Sequence, residues 1–229
     1  MNIGKYKLFL LVSFLATWVW SAVEPLYPDD WLLENYLVFL FVPIVLVSHR
    51  YLRLSALSYT SITIFMMLHV VGSHYTYSET PFGYILQQMV GAERNMYDRF
   101  VHFAYGLLLV YPARELFLYI ARSKSFWSYH LPLDAVIASS AVYEIIEWSV
   151  AGQVDPAAGF AFLGAQGDIW DAQKDMLAAI VGATATLSLV ATVNWRRNTN
   201  FRQEMTQSLR PIPGQKNTLR CRVVSRINF

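Results

Sequence analysis

The chain has 229 residues, of which 55% are hydrophobic, 15% aromatic and only 15% charged, with a mean hydropathy of +0.33. An average soluble domain has about 25% charged residues, so this composition excludes an ordinary water-soluble domain and is that of a membrane protein. The net charge of +2 conceals a strong asymmetry along the chain, and the single cysteine, Cys221, excludes an intrachain disulfide.

Spanning a hydrocarbon core takes about 20 mostly apolar residues. Six stretches meet or approach that length: 6–23, 31–48, 54–77, 100–121, 131–150 and 175–195. No bilayer water satisfies their backbone groups, so each is predicted to be an α-helix. The expected fold is an all-α, polytopic membrane helix bundle with six transmembrane helices in residues 1–195. The first stretch follows Lys5 and Lys7 and ends near the small residues Ser21 and Ala22, as a secretory signal does. Trp18 and Trp20 put bulky indoles where cleavage wants small side chains and where an interface suits them, so the segment reads as a retained anchor.

Positively charged loops are held in the cytoplasm. Lys5 and Lys7 precede the first helix, Arg50 and Arg53 lie between the second and third, and Arg122 and Lys124 between the fourth and fifth. Arg196, Arg197, Arg202, Arg210, Lys216, Arg220, Arg222 and Arg226 follow the sixth, so 14 of the 18 Lys and Arg fall on one side. Both termini are therefore expected in the cytoplasm. Residues 196–229 include Pro211, Pro213 and Gly214 and show little apolar periodicity, which reads as a basic, disordered tail. Such a tail fits anionic lipid better than nucleic acid, since it has few aromatics to stack on bases.

The two longer outer connections, 78–99 and 151–174, are rich in Gly, Pro and aromatics. Loops of that length are often lids or binding loops, and an interfacial re-entrant segment is the alternative.

The outer helix ends carry a recurring set of acids and imidazoles: His69, His74, Asp98, His102, Glu144, Glu147, Asp168, Asp171 and Asp175. Charged groups at membrane depth are costly and survive mainly where they face a bundle interior, pair, or hold an ion. Helical spacing places Asp98 with His102, Glu144 with Glu147, and Asp168 with Asp171 and Asp175 on shared faces, with Lys174 beside the last set. His69 and His74, five apart, do not share one. Carboxylates with imidazole suit a divalent metal, Zn²⁺, Mg²⁺ or Mn²⁺, and equally suit acid-base chemistry. Against this stands a purely structural reading, in which Asp168 or Asp171 caps the sixth helix, Asp98 pairs with Arg99, and Glu144 and Glu147 pair with Lys174 or Arg94. Arg114 and Glu115 read as packing or snorkelling residues. His49 and His130 read as solvated at inner interfaces, and Asp134 as a cap after Pro132. No Gly-x-Ser-x-Gly, P-loop or Rossmann fingerprint is present.

The motifs His69-x-x-Gly72-Ser73-His74-Tyr75-Thr76-Tyr77, Tyr97-Asp98-Arg99, Tyr143-Glu144-x-x-Glu147-Trp148 and Asp168-x-Trp170-Asp171-x-Gln173-Lys174-Asp175 resemble those of the YjdF-type family of small bacterial inner-membrane proteins. More distantly, Asp98-Arg99-Phe100-Val101-His102-Phe103, the later glutamates and the Asp before a small-residue helix resemble the VanZ-like membrane fold. The chain has Ala165-Gln166-Gly167 where VanZ-like sequences carry an Arg. The resemblance implies a bacterial inner-membrane location and a polar core, and no reaction.

The expected function is a membrane enzyme performing metal-assisted hydrolysis or group transfer on a lipid head group or envelope molecule. Glu144, Glu147, Asp171 and Asp175 are the expected ligands or acid/base groups, with Asp98 and Asp168 as further ligands. His69, His74 and His102 are expected as ligands or proton shuttles, and Lys174 or Arg99 as anion anchors. The alternatives are a small ion-coupled transporter and a non-catalytic envelope or stress factor. The bilayer is the expected partner, and nucleic acid is not.

Overall fold

A computed structural model describes residues 3–52, 54–154 and 156–210. Arg53, Asp155 and the tail residues Pro211, Pro213, Gly214, Lys216, Arg220, Cys221, Arg222 and Arg226 lie outside them. The described residues form helices and no strand: α1 (Ile3–Ser21), α2 (Pro28–Ser48), α3 (Ala56–His74), α4 (Pro81–Val90), α5 (Tyr97–Tyr119), α6 (Trp127–Ala151), α7 (Pro156–Leu163), α8 (Asp171–Arg197) and α9 (Phe201–Ser208).

Local chemistry sets the boundaries. Pro28 and Pro81 open α2 and α4 at positions where a missing N–H costs nothing. The Ser55 hydroxyl caps α3 by accepting from Ser58 N at 3.1 Å. Gly91 ends α4 in the left-handed conformation. Asp171 in the first turn of α8 and Arg196 and Arg197 in its last both complement the helix dipole.

Helices α1, α2, α3 and α8 are long and apolar enough to cross a membrane. Leu8, Phe9, Val12 and Val19 of α1 are exposed, as expected of a helix whose solvent is lipid. Helix α5 is the hub, in contact with α3, α4, α6 and α8, while α1 lies on α3, and α2 touches α3 and α7. The α5–α8 crossing is made by small residues. A Cβ on Gly106 would fall 1.8 Å from the Ala179 carbonyl oxygen, and one on Gly182 would fall 2.1 Å from the Phe103 carbonyl oxygen. Close backbone approach of this kind is how membrane helices gain packing energy without a hydrophobic driving force.

The end of the bundle expected to face the cytoplasm is closed by side chains. Glu115 accepts from Ser55 N at 2.9 Å and from the Ser58 hydroxyl at 2.7 Å, and Arg114 lies over the Tyr129 ring at 4.7 Å. Both are thus packing residues. Asp134, expected as a cap, lies inside α6, which starts at Trp127, and sits 3.5 Å from His130. His49 stays exposed, bonded to the Tyr59 hydroxyl. Within the stretch expected to be a disordered tail, Phe201–Ser208 form α9, and Ser208 accepts from Phe126 N and Trp127 Nε1.

Candidate functional site

Asp98, Arg99 and His102 stand on the first two turns of α5, Glu144 and Glu147 on the last two of α6, and Asp171 and Asp175 on the first two of α8. The antiparallel run of α5 against α6, and the close crossing of α5 with α8, bring these turns together. Asp168 and Lys174 stand at the rim, where the ammonium donates to the carboxylate at 2.6 Å. That bond holds the Asp168 carboxyl below its ordinary value. Its small contribution to stability is therefore present at neutral pH and lost as pH falls through the carboxylate range.

Three permanent cations serve four of the six carboxylates. Arg99 reaches Asp171 at 2.6 Å and Asp175 at 2.6 Å, with Asp168 at 3.7 Å. Its Nε contact to Asp175 is an ion pair without the alignment of a directed hydrogen bond. Arg94 pairs with Asp171, stands 3.6 Å from Asp98, and donates to the Gly164 and Ala165 carbonyl oxygens. Glu144 and Glu147 have no Lys or Arg within ion-pair distance among the described residues. The expected structural pairing of these two with Lys174 or Arg94 is thus not what the geometry contains. Arg99, with three carboxylates around it, has little capacity left as an anion anchor.

His102 Nε2 lies 3.7 Å from both Asp98 Oδ1 and Glu144 Oε1. That exceeds a hydrogen bond and approaches the ~3.4 Å expected between two ligands each ~2.1 Å from a tetrahedral ion. Two groups could hold a metal, Asp98–His102–Asp175 and His102–Glu144–Glu147, each with ligand atoms within 4.8 Å of one another. The first is already matched by Arg94 and Arg99. The second is not, and Glu144 Oε1 is buried without a hydrogen-bond partner among the described residues.

A cavity of about 250 Å³ adjoins this cluster, lined on its polar side by Glu34, His69, Tyr77, Asp98, His102, Tyr143 and Glu147. One water needs only ~10–15 Å³ on such a measure, so the space admits a ligand group. Phe162 and Gly164, in and just after α7, also line it, so one of the two long connections reaches the cavity. His69 is buried at its wall with both nitrogens engaged, Nε2 with the Glu34 carbonyl oxygen at 3.1 Å and Nδ1 with the Tyr77 hydroxyl at 2.5 Å. A carbonyl can only accept, so Nε2 carries the proton and Tyr77 donates to Nδ1. In that state His69 has no free lone pair for a metal. His74 is elsewhere, bonded to the Ser21 carbonyl oxygen and 4.5 Å from the Trp20 ring.

The geometry adds residues that the sequence reading passed over. Asp30, Glu34 and Asn35 of α2 are buried, and Tyr143 donates to Glu34 Oε2 at 3.4 Å. The signal was present as an acid pair four apart near the start of an otherwise apolar helix.

The family model described as predicted membrane protein (DUF2238) matches residues 6–196. The chain is 36% identical over 174 residues to inner membrane protein YjdF of Escherichia coli (strain K12), covering 75% of this chain and 82% of that protein. No solved structure matches.

Proposed function

We propose that this inner-membrane protein, which belongs to the DUF2238 family of predicted membrane proteins, crosses the bilayer six times with both termini cytoplasmic. Its acid/His end then faces outward as a divalent-cation site for hydrolysis or group transfer on a lipid head group or another envelope molecule. Four helices meet the length and apolarity of a span, and α5 and α6 complete the set. Their 23 and 25 residues reach about 34 and 37 Å at ~1.5 Å per residue, against a core of about 30 Å. Their site carboxylates are turned towards neighbouring helices rather than lipid, which is how charge is tolerated at that depth. Orientation rests on the Lys/Arg distribution. Reporter fusions after Lys124 and Arg197 should read cytoplasmic, and fusions within 25–30, 78–88 and 153–164 should read external. An external signal after Arg197 would overturn the orientation.

The observation that carries the cation reading is the pair Glu144 and Glu147, facing His102 without a permanent cation to match them. Two carboxylates and one imidazole suit Zn²⁺, Mn²⁺ or Mg²⁺. Such an ion would polarise a phosphoryl or acyl oxygen, or activate water. Asp98, on the cavity wall and 3.7 Å from His102, is placed to move a proton. Asp171 and Asp175 hold the arginines that fix α8 against α5. A carrier would need polar residues reaching the other face. Inward of the site, Val110, Val136 and Leu187 instead form an apolar layer, with the Arg114–Ser128 and Asn194–Tyr129 pairs beyond it, and that layer supports a site opening to one side.

Elemental analysis of gently purified protein tests this directly, with about one divalent ion expected per chain. Glu144→Gln and Glu147→Gln should remain folded and lose the ion, because amide replacement removes ligand charge without leaving an unmatched partner. Wild type that is metal-free, and whose melting in detergent is indifferent to Zn²⁺, Mn²⁺, Mg²⁺ and chelator, would refute it.

A further inference from the structure

The charged side chains on the cavity wall point to the kind of ligand it takes. Glu34, Asp98 and Glu147 bring three carboxylates to it, and no Lys or Arg lines it. Asp98 is matched by Arg94, and Glu147 belongs to the group around His102. Glu34 has neither. It is 4% exposed, and forms no ion pair and joins no metal-suited group among the described residues. Its contact from Tyr143, at 3.4 Å, is near the outer limit of a hydrogen bond. A carboxyl buried this way keeps its charge only at high cost unless a cation meets it.

Deeper along the helices the wall is mostly apolar, with Tyr105, Ser139 and Ser140 as its polar exceptions. Phe41 is two turns along α2 from Glu34, Phe65 one turn inward of His69 on α3, and Leu109 two turns inward of His102 on α5. At ~1.5 Å per residue the apolar end sits up to ~10 Å further into the membrane.

We infer that the cavity binds an amphiphile with an ammonium head, its nitrogen at Glu34 and its apolar chain reaching Phe41, Phe65 and Leu109. The inference deepens the outward-facing site proposed above by naming the head-group chemistry, and it rests on that reading for access from the outer leaflet. A head without an ammonium would bring no cation to the three carboxylates, and one that is anionic as well would add like charge to them. Tyr77 and Tyr143 line the same region, and aromatic rings favour ammonium groups through their π faces. Glu34 lies outside the His102–Glu144–Glu147 group, so an ion there and an ammonium at Glu34 do not compete for one carboxylate.

The source is either an amino-headed phospholipid or a soluble alkylamine, and one experiment separates them. Purified protein in a non-ionic detergent is offered equal amounts of phosphatidylethanolamine and phosphatidylglycerol with identical acyl chains. Bound lipid is read by native mass spectrometry and metal content is measured on the same sample. Wild type should prefer the amino head by on the order of tenfold, the scale of one charge-assisted contact. Glu34→Gln should bring the ratio near unity with metal content unchanged, while Glu34→Asp, which keeps the charge, should retain part of the preference. Butylamine that displaces the amino lipid places the site with soluble amines; butylamine that does not places it with lipid. Equal binding of the two lipids by wild type, or a preference that survives Glu34→Gln in folded protein, would overturn the inference. A metal-free wild type that still prefers the amino head would sink the cation reading and leave this one standing.

Discussion

Leucine at Gly182 or Gly106 should abolish the folded protein. A Cβ at Gly182 meets the Phe103 carbonyl oxygen at 2.1 Å and the Leu107 nitrogen at 2.8 Å, and one at Gly106 meets backbone atoms of Ala179 and Ala183. The obstacles are main chain on a packed neighbouring helix, so no rotamer change relieves them. Separation of α5 from α8 would also break the bond from the Thr186 hydroxyl to the Leu107 carbonyl oxygen at 2.6 Å and pull Asp171 and Asp175 from Arg99. Overpacking alone costs roughly 1–3 kcal/mol, and loss of the ionic contacts adds to it, against a total stability of only about 5–15 kcal/mol. Gly152→Ala is the control, since its nearest contacts, at 3.7 Å, belong to its own helix. Size-exclusion profiles and melting curves in detergent should show aggregation for the two leucine variants and near-wild-type behaviour for Gly152→Ala. A wild-type melt from Gly182→Leu would mean that the two helices are not in this contact.

The six long helices overlap the stretches predicted from hydropathy because length and apolarity are properties of a continuous segment. Helical spacing likewise placed Asp98 beside His102 and Glu144 beside Glu147, and those pairs do converge. Which acids are matched by arginine was not legible. Arg94 and Asp171 are 77 residues apart, and only the α5–α8 crossing unites them. The divergence of the two histidines of α3 was legible as a spacing of five but not as a destination, since Trp20 and Tyr77 decide it from other segments. Helices α4 and α7 were hidden in Gly- and Pro-rich connections, although Pro81 and Pro156 stand where prolines open helices. Glu34 was missed although Asp30 stands one turn before it, because acids at the start of an apolar helix read equally as its outer boundary.

Arg99→Gln should separate architecture from chemistry within the same cluster. Arg99 is mostly buried and stands between Asp168, Asp171 and Asp175, so its removal leaves Asp175 without a cation and Asp171 dependent on Arg94. Breaking a buried pair from one side costs about 3–5 kcal/mol, because the surviving carboxylates keep their desolvation penalty. Arg99→Lys should recover only part of this, since a single ammonium cannot present the planar fork that meets two carboxylates at once. Lys174→Gln should denature close to the wild type, because its ammonium is half exposed and serves Asp168 at the rim. The measurement is chemical denaturation in detergent, with metal content recorded for each variant. If Arg99→Gln melts with the wild type, α8 is not held by this network. If it unfolds while Glu147→Gln stays folded and loses only its ion, the carboxylates divide as the arginine contacts divide them, with Asp171 and Asp175 holding helices together and Glu144 and Glu147 left free to bind.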